Sequence, residues 1–270
     1  MTLCALSPQT IARCVADALH EELVTFPKPG LVSFMDNGSH PDMDADCFLT
    51  SIAAITPFFA EMAGAAGENA SLSDLQEIGL TAETAMFAAT GGRNTHKGAI
   101  FCLGLLAAAA GVPEAGPERS LGRIVRERWG RDIPRADALP ETSAGIALCR
   151  QFHLGGVRAE AAGGFPSVYQ YGLPILEAIT DREAARVQVF FHLLEHCEDT
   201  TVLKRGGLAG RQFACSEARR FLQNGGVKHP QWKETAEDIH REFVRRNLTA
   251  GGTADLLAAT LFTAKIARLR

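Results

Sequence analysis

The chain has 270 residues, 46% of them apolar and 21% charged, with 27 Lys plus Arg against 31 Asp plus Glu and a formal charge of −4. That is ample apolar material for a core, which excludes disorder as the main state, and it leaves no bulk basic field of the kind that grips a nucleic-acid backbone. Seven cysteines stand singly at positions 4, 14, 47, 102, 149, 197 and 215, a pattern of reduced thiols used as small apolar side chains rather than a disulfide frame or zinc knuckle. The opening MTLCALSPQTIARC has no basic head before an apolar run, and the longest uncharged apolar stretch, Ala99 to Pro113, is too short to span a bilayer. A cytoplasmic protein with neither membrane nor nucleic acid as partner is expected.

Alanine is abundant and β-branched runs are scarce, so helix should dominate. Ser7 and Pro8 make a cap and first-turn pair. Behind them Ile11, Cys14, Val15, Ala18 and Leu19 recur at helical spacing, which predicts a helix over 8–24. The next segment, FPKPGLVSFMDNGSHPDMD, holds three prolines, two glycines and three aspartates, and reads as an ordered loop. Phe48, Ile52, Ile55, Phe58 and Phe59 mark a helix that Pro57 is expected to kink or divide. Ser71 or Ser73 caps another, through Leu75, Ile78, Leu80 and Met86 to Thr90, where Gly91 and Gly92 stop it. RNTHKGAIFCLGLLAAAAG then feeds a helix that is apolar nearly all round, hence central.

Stretches 113–120 and 130–141 read as linkers on either side of a short charged segment, and further helices are predicted at 142–154, 173–180, 183–198, 207–223, 231–247 and 253–268. The expected architecture is all-α: a single multi-helix domain over 1–270 of about ten helices, with polar loops forming one cleft.

Five polar clusters stand at helix ends or turns. In the first, Asp36, Asn37, Ser39 and His40 precede Asp42, Asp44 and Asp46. Such dense carboxylates suit magnesium completed by substrate phosphates, or else they cap and acidify the next helix, Asp44 and Asp46 above all. In the second, Arg93, Asn94, Thr95, His96 and Lys97 open the central helix, where free N–H groups and two cations favour an anion; a well-capped helix with solvated basic residues is the plain alternative. The third pairs Arg158 and Glu160 with a glycine-rich turn. The fourth carries His192, Glu195 and His196, too weak for zinc in this order, then Asp199 read as an acid at a helix C-terminus, followed by Thr200, Lys204 and Arg205. The fifth, Gly251-Gly252-Thr253-Ala254-Asp255, opens the last helix with Asp255 as a first-turn acid or a pocket residue. Neither a Walker loop nor GxSxG is present.

These motifs resemble the triphosphoribosyl-dephospho-CoA synthase family over almost the whole length. The matching stretches are Pro27-Lys28-Pro29-Gly30-Leu31-Val32 with Asp36-Asn37-Gly38-Ser39-His40 and Asp42-Met43, then Asn94-Thr95-His96-Lys97-Gly98-Ala99-Ile100. Arg158-Ala159-Glu160 with Gly164-Phe165-Pro166, Asp199-Thr200 with Arg205-Gly206-Gly207, and Gly251-Gly252 with Ala254-Asp255-Leu256-Leu257 complete the set. The family usually has glycine where this chain has Ala159, and often Ser-Pro where it has Thr249-Ala250.

The resemblance implies a pentosyl transfer: ATP and 3′-dephospho-CoA give 2′-(5″-triphosphoribosyl)-3′-dephospho-CoA and adenine, with Mg2+ expected. The product would pass to an acyl-carrier prosthetic-group pathway, that of malonate decarboxylase ahead of citrate lyase. It also implies roles. Asp36 and Asp42 with Asp199 would hold magnesium; Arg93, Lys97 and Arg205 would clamp phosphate. Glu160 is the first choice for base or oxocarbenium partner, Glu83 the reserve, and His40 and His96 would supply a proton or bind phosphate. Lys28, Asn37, Ser39, Asn94, Thr95, Arg158, Thr200, Lys204 and Asp255 complete the expected substrate contacts. Two other classes compete. A magnesium-dependent hydrolase of ADP-ribose-type glycosides needs no dephospho-CoA, and a nucleotide- or CoA-binding helical module binds without releasing adenine.

Overall fold

The computed structural model describes residues 6–113, 119–135, 138–139 and 144–270. Of the two expected linkers, residues 114–118 of the first and 136–137 and 140–141 of the second lie outside the described residues. Among those described there is helix and no strand: α1 (Pro8–Val24), α2 (Ala45–Gly67), α3 (Leu72–Ala89), α4 (Lys97–Gly111), α5 (Leu121–Arg128), α6 (Ala144–Gln151) and α7 (Gly156–Ala162). A π-helical turn, Val168–Gly172, leads into α8 (Leu173–Ala178), followed by α9 (Arg182–His196), α10 (Thr200–Gln223), a 3-10 turn at Gly226–Lys228, α11 (Trp232–Arg245) and α12 (Gly251–Leu269).

Helix starts follow the caps written in the sequence. Ser7 Oγ accepts from Thr10 N–H at 3.2 Å with Pro8 behind it. Asp44 accepts from Cys47 N–H at 2.8 Å, and Ser71, not Ser73, forms a reciprocal capping box with Asp74. The architecture grows from two helices that lack a polar face. Residues Ala99 to Ala110 of α4 are buried apart from Phe101, and α4 packs against α1, α2, α3, α5, α7 and α12. Its partner α12 is buried from Leu256 through Ala264 and touches α1, α4, α8, α9 and α10. Small side chains on α4 let these neighbours approach closely, and large ones such as Phe59 of α2 and Phe190 of α9 fill the gaps between them.

Two expectations change. Pro57 lies within α2 without dividing it, and its exposed position keeps the ring on the solvent side. A helix that does carry charges, α2, with 23 residues, is long and apolar enough to cross a membrane by length and composition, although here it lies against α1, α3 and α4. The helix predicted from 207 is the second stretch of α10; a first stretch begins at Thr200, and Gly207 (φ 59°, ψ −159°) breaks the helix between them. Asp199 therefore opens a helix rather than closing one.

The proline-rich segment after α1 is ordered, as expected. Pro27 to Ser33 are buried, His240 of α11 bonds the Lys28 carbonyl at 2.9 Å, and Ser39 Oγ donates to the Leu248 carbonyl at 2.6 Å. The loop is thereby strapped across the ends of α10, α11 and α12, which is what positions the cleft.

Candidate active-site cleft

Three helix N-termini, those of α4, α10 and α12, open into one cleft of about 320 Å³. The positive ends of their dipoles bias it toward anions. The knot that brings two of them together is Asp199. Its Oδ1 accepts from Thr201 N–H at 2.9 Å, Val202 N–H at 3.2 Å and the Thr201 hydroxyl at 2.5 Å. Its Oδ2 accepts from Thr253 N–H and the Thr253 hydroxyl, both at 2.8 Å. One carboxylate thus caps α10 and α12 together. Thr201 adds a second tie, accepting from Gly251 N–H at 2.7 Å.

The start of α4 is held by other side chains. Asn94 Oδ1 accepts from Lys97 N–H at 3.1 Å, and the Asp255 carboxyl lies against Gly98, where a Cβ would stand 1.9 Å from Oδ2. Only glycine admits that approach. Burial, then the negative charges of Asp199 and Glu22, push the Asp255 carboxyl well above the usual range, although the Ala99 N–H donates to it.

Basic groups face these acids. Lys97, Lys204 and Arg205 line the cleft. Arg205 is a braced arm: Nη1 donates to the Ser39 carbonyl at 2.9 Å and to Asn247 Oδ1 at 2.6 Å, and Nη2 lies 3.4 Å from His40 Nδ1. Since a guanidinium only donates, Nδ1 accepts, and His40 Nε2 carries the proton toward Thr249 Oγ1 at 2.9 Å. Burial and the Arg205 charge hold His40 below its ordinary value. On the inner wall Glu22 forms an ion pair with Lys28, and burial pulls the Lys28 ammonium down despite that partner.

A smaller hollow of about 180 Å³ adjoins the cleft, sharing Lys97 and Gly98 with it. Glu83, Phe101, Arg158 and Thr200 line it. Glu83 pairs with Lys97 at 2.6 Å. Arg158 lies over the Phe101 ring at 5.5 Å, and its buried Nη1 has no protein partner.

Of the residues expected at the site, His40, Asp42, Asn94, Thr95, His96, Lys97, Lys204, Arg205 and Asp255 line the cleft, and Glu83, Arg158 and Thr200 line the hollow. Asp199, Ser39 and Lys28 stand behind the wall as ties. Asp36 and Asn37 are exposed outside it; Asp36 Oδ1 accepts from Gly38 N–H at 2.8 Å and lies 3.1 Å from His240 Nε2. Arg93 donates to the Thr90 carbonyl at 3.0 Å and is outside too. Glu160 lines neither space: its two oxygens meet Ser167 N–H at 2.8 Å and Ser167 Oγ at 3.0 Å. The neighbouring Ala159 lies within α7 without positive φ, so the methyl that departs from the resembled family is accommodated.

A family profile described as ATP:dephospho-CoA triphosphoribosyl transferase (CitG) matches residues 8–270. The chain belongs to this family. It is 40% identical over 264 residues to the 2-(5″-triphosphoribosyl)-3′-dephosphocoenzyme-A synthase of Pectobacterium atrosepticum, covering 91% of this chain and 85% of the relative. It is 35% identical over 275 residues to the synthase of the same name in Klebsiella pneumoniae, covering 95% and 91%. A probable synthase of Vibrio cholerae is 35% identical over 281 residues, covering 97% and 90%. No solved structure matches the chain. At the level of the family the chemistry is pentosyl transfer between ATP and dephospho-CoA.

Sequence reading missed Glu22, Ser51, Thr201 and Thr249. Glu22 did carry a signal. It falls on the apolar stripe of α1, three residues after Leu19 and seven after Val15, where an acid has no reason to sit unless it is paired or functional.

Proposed function

We propose that the chain transfers the triphosphoribosyl group of ATP to the 2′-hydroxyl of 3′-dephospho-CoA, releasing adenine. The observation that carries the reading, beside family membership, is the meeting of two spaces at Lys97 and Gly98. One is ringed by helix N-termini and cations; the other presents Phe101 and a partnerless Arg158 nitrogen. A transfer between two nucleotides needs adjoining sites, and a hydrolase needs only one. The triphosphate lies among Lys97, Lys204 and Arg205, and Arg158 takes a phosphate of dephospho-CoA.

In the reaction the C1′–N9 bond of ATP breaks and a bond from C1′ to the acceptor oxygen forms. The acceptor hydroxyl gives up one proton and the departing adenine gains one. A carboxyl facing the cleft is the group to move that proton, which favours Asp255, on the cleft wall, over Glu160, which lines neither space and whose oxygens are engaged with Ser167. Glu160 then acts by setting the turn after α7.

Magnesium fits as an ion carried by the triphosphate. Asp42 is exposed at the cleft wall and would hold it, whereas five donors already occupy Asp199; among the described residues no group of three acidic, His or Cys side chains forms a protein cage. When bound it neutralises phosphate charge. The product serves prosthetic-group assembly in the cytoplasm, with malonate decarboxylase favoured over citrate lyase by the wording of the Pro27–His40 segment.

Mass spectrometry after incubation with ATP, magnesium and 3′-dephospho-CoA tests the reading. Adenine should appear in step with the triphosphoribosyl adduct only when all three are present. Adenine without dephospho-CoA would make the protein a hydrolase, and binding of both nucleotides without adenine would make it a binding module. Asp255→Asn should lower turnover at least about 100-fold, the usual weight of a proton-transferring group, while Glu160→Gln should act mainly on stability. The reverse pattern returns the proton to Glu160.

A further inference from the structure

Ser51 of α2 belongs to none of the motifs, is wholly buried, and has its hydroxyl 2.7 Å from His96 Nδ1. The Thr95 hydroxyl donates to Ser51 Oγ, also at 2.7 Å. The protons along this chain can be placed. Ser51 receives one from Thr95, and its own must go to an acceptor, because a buried hydroxyl seldom leaves its proton unbonded. Nδ1 is the acceptor within reach, so Nδ1 is bare and the neutral ring carries its proton at Nε2.

That Nε2 is buried and has no protein partner. His96 is 3% exposed, lines the cleft, and is braced by the edge of Phe48 at 5.0 Å between ring centroids. A buried N–H with nothing to bond is costly, and it persists where a ligand completes it. Lys97, Lys204 and Arg205 line the same cleft, which makes the awaited acceptor an anionic oxygen.

We infer that His96 Nε2–H is a preset hydrogen-bond donor to the phosphate chain of the substrate, and that Ser51, itself fixed by Thr95, is the positioning residue that sets its tautomer. The inference rests on the reading that ATP occupies this cleft. It separates the two histidines: His40 has both ring nitrogens engaged within the protein, while His96 keeps one for substrate. Burial, with Lys28 nearby, holds His96 down to about 3, so at neutral pH the ring donates a hydrogen bond and does not act as an acid.

The test uses the full chain labelled with 15N-histidine, with the His96 signals assigned by their loss in His96→Gln. The expected spectrum shows a neutral ring protonated at Nε2, unchanged between pH 5 and 8, whose Nε2 resonance moves on adding inorganic triphosphate with magnesium and stays put with adenosine. Ser51→Ala should mix the tautomers and weaken triphosphate binding roughly tenfold, the worth of one hydrogen bond. His96→Gln, which keeps a donor near Nε2, should bind triphosphate better than His96→Asn. Protonation at Nδ1, titration near neutrality, or an Nε2 signal indifferent to triphosphate or moved by adenosine alone overturns the inference. A variant that misfolds leaves the wild-type spectrum as the deciding measurement. Triphosphate moving Nε2 without adenine release would sink only the transfer reading; adenine release with a silent Nε2 would sink only this one.

Discussion

Asp199 shows how much local structure one carboxylate can hold. It accepts five hydrogen bonds from two helix starts, so Asp199→Ala removes two caps and orphans buried donors. Helix caps are worth about 1–2 kcal/mol each, and the orphaned groups add to that; a loss of about 3–4 kcal/mol in urea unfolding is expected. The loss should be the same with magnesium or with a chelator. A loss that appears only with magnesium would make Asp199 a metal ligand, as its motif first suggested. The residue was visible in the sequence and its hydrogen-bond partners were not. Its partners Thr201 and Thr253 are ordinary helix-start residues until Asp199 joins them across 54 positions of chain. Ser51 is harder still, since its meaning depends wholly on a contact 45 residues away.

At the scale of elements, what could be read was what depends on neighbours in sequence. Periodicity located α1, α3, α4, α9, α11 and α12 because each buries a stripe or a whole circumference. The short α7 and the π-turn before α8 escaped because a few residues between glycines carry too little pattern. Gly207 was read as a helix start, and it is the break at which the second stretch of α10 begins: its dihedrals lie in a region essentially restricted to glycine. A Cβ there would meet nothing within 4 Å, so Gly207→Ala tests the torsion alone. The expected cost is about 1–3 kcal/mol. Straightening at 207 would also move the segment bearing Arg205 away from Ser39 and Asn247, weakening ATP binding. Unchanged stability with unchanged binding would show that the break is incidental.

At the scale of the molecule, the cleft sets charged cations beside His96 and Asp255, whose own charges the fold suppresses, and this links pH to stability. The His96 pKa of about 3 lies below its ordinary 6.5, so from pH 6.5 down to 3 the unfolded chain takes up a proton that the native ring refuses. Stability must therefore fall as pH falls through that window, by up to about 1.4 kcal/mol per pH unit from this residue. Asp255 works the other way. Its native carboxyl holds a proton that the unfolded chain releases above the ordinary value of 3.8, so its contribution is greatest in acid and fades as pH rises. The two partly cancel in wild type, and a simple acid melt cannot tell them apart. Comparison with His96→Gln can, because the variant retains Asp255 and loses the imidazole. The stability gap between wild type and variant should narrow by about 2 kcal/mol between pH 7 and pH 5 in urea titrations. A gap that stays constant would mean that His96 takes up its proton normally in the native state. The cleft would then open on an imidazolium rather than on a neutral donor, and the division of labour between His40 and His96 would have to be redrawn.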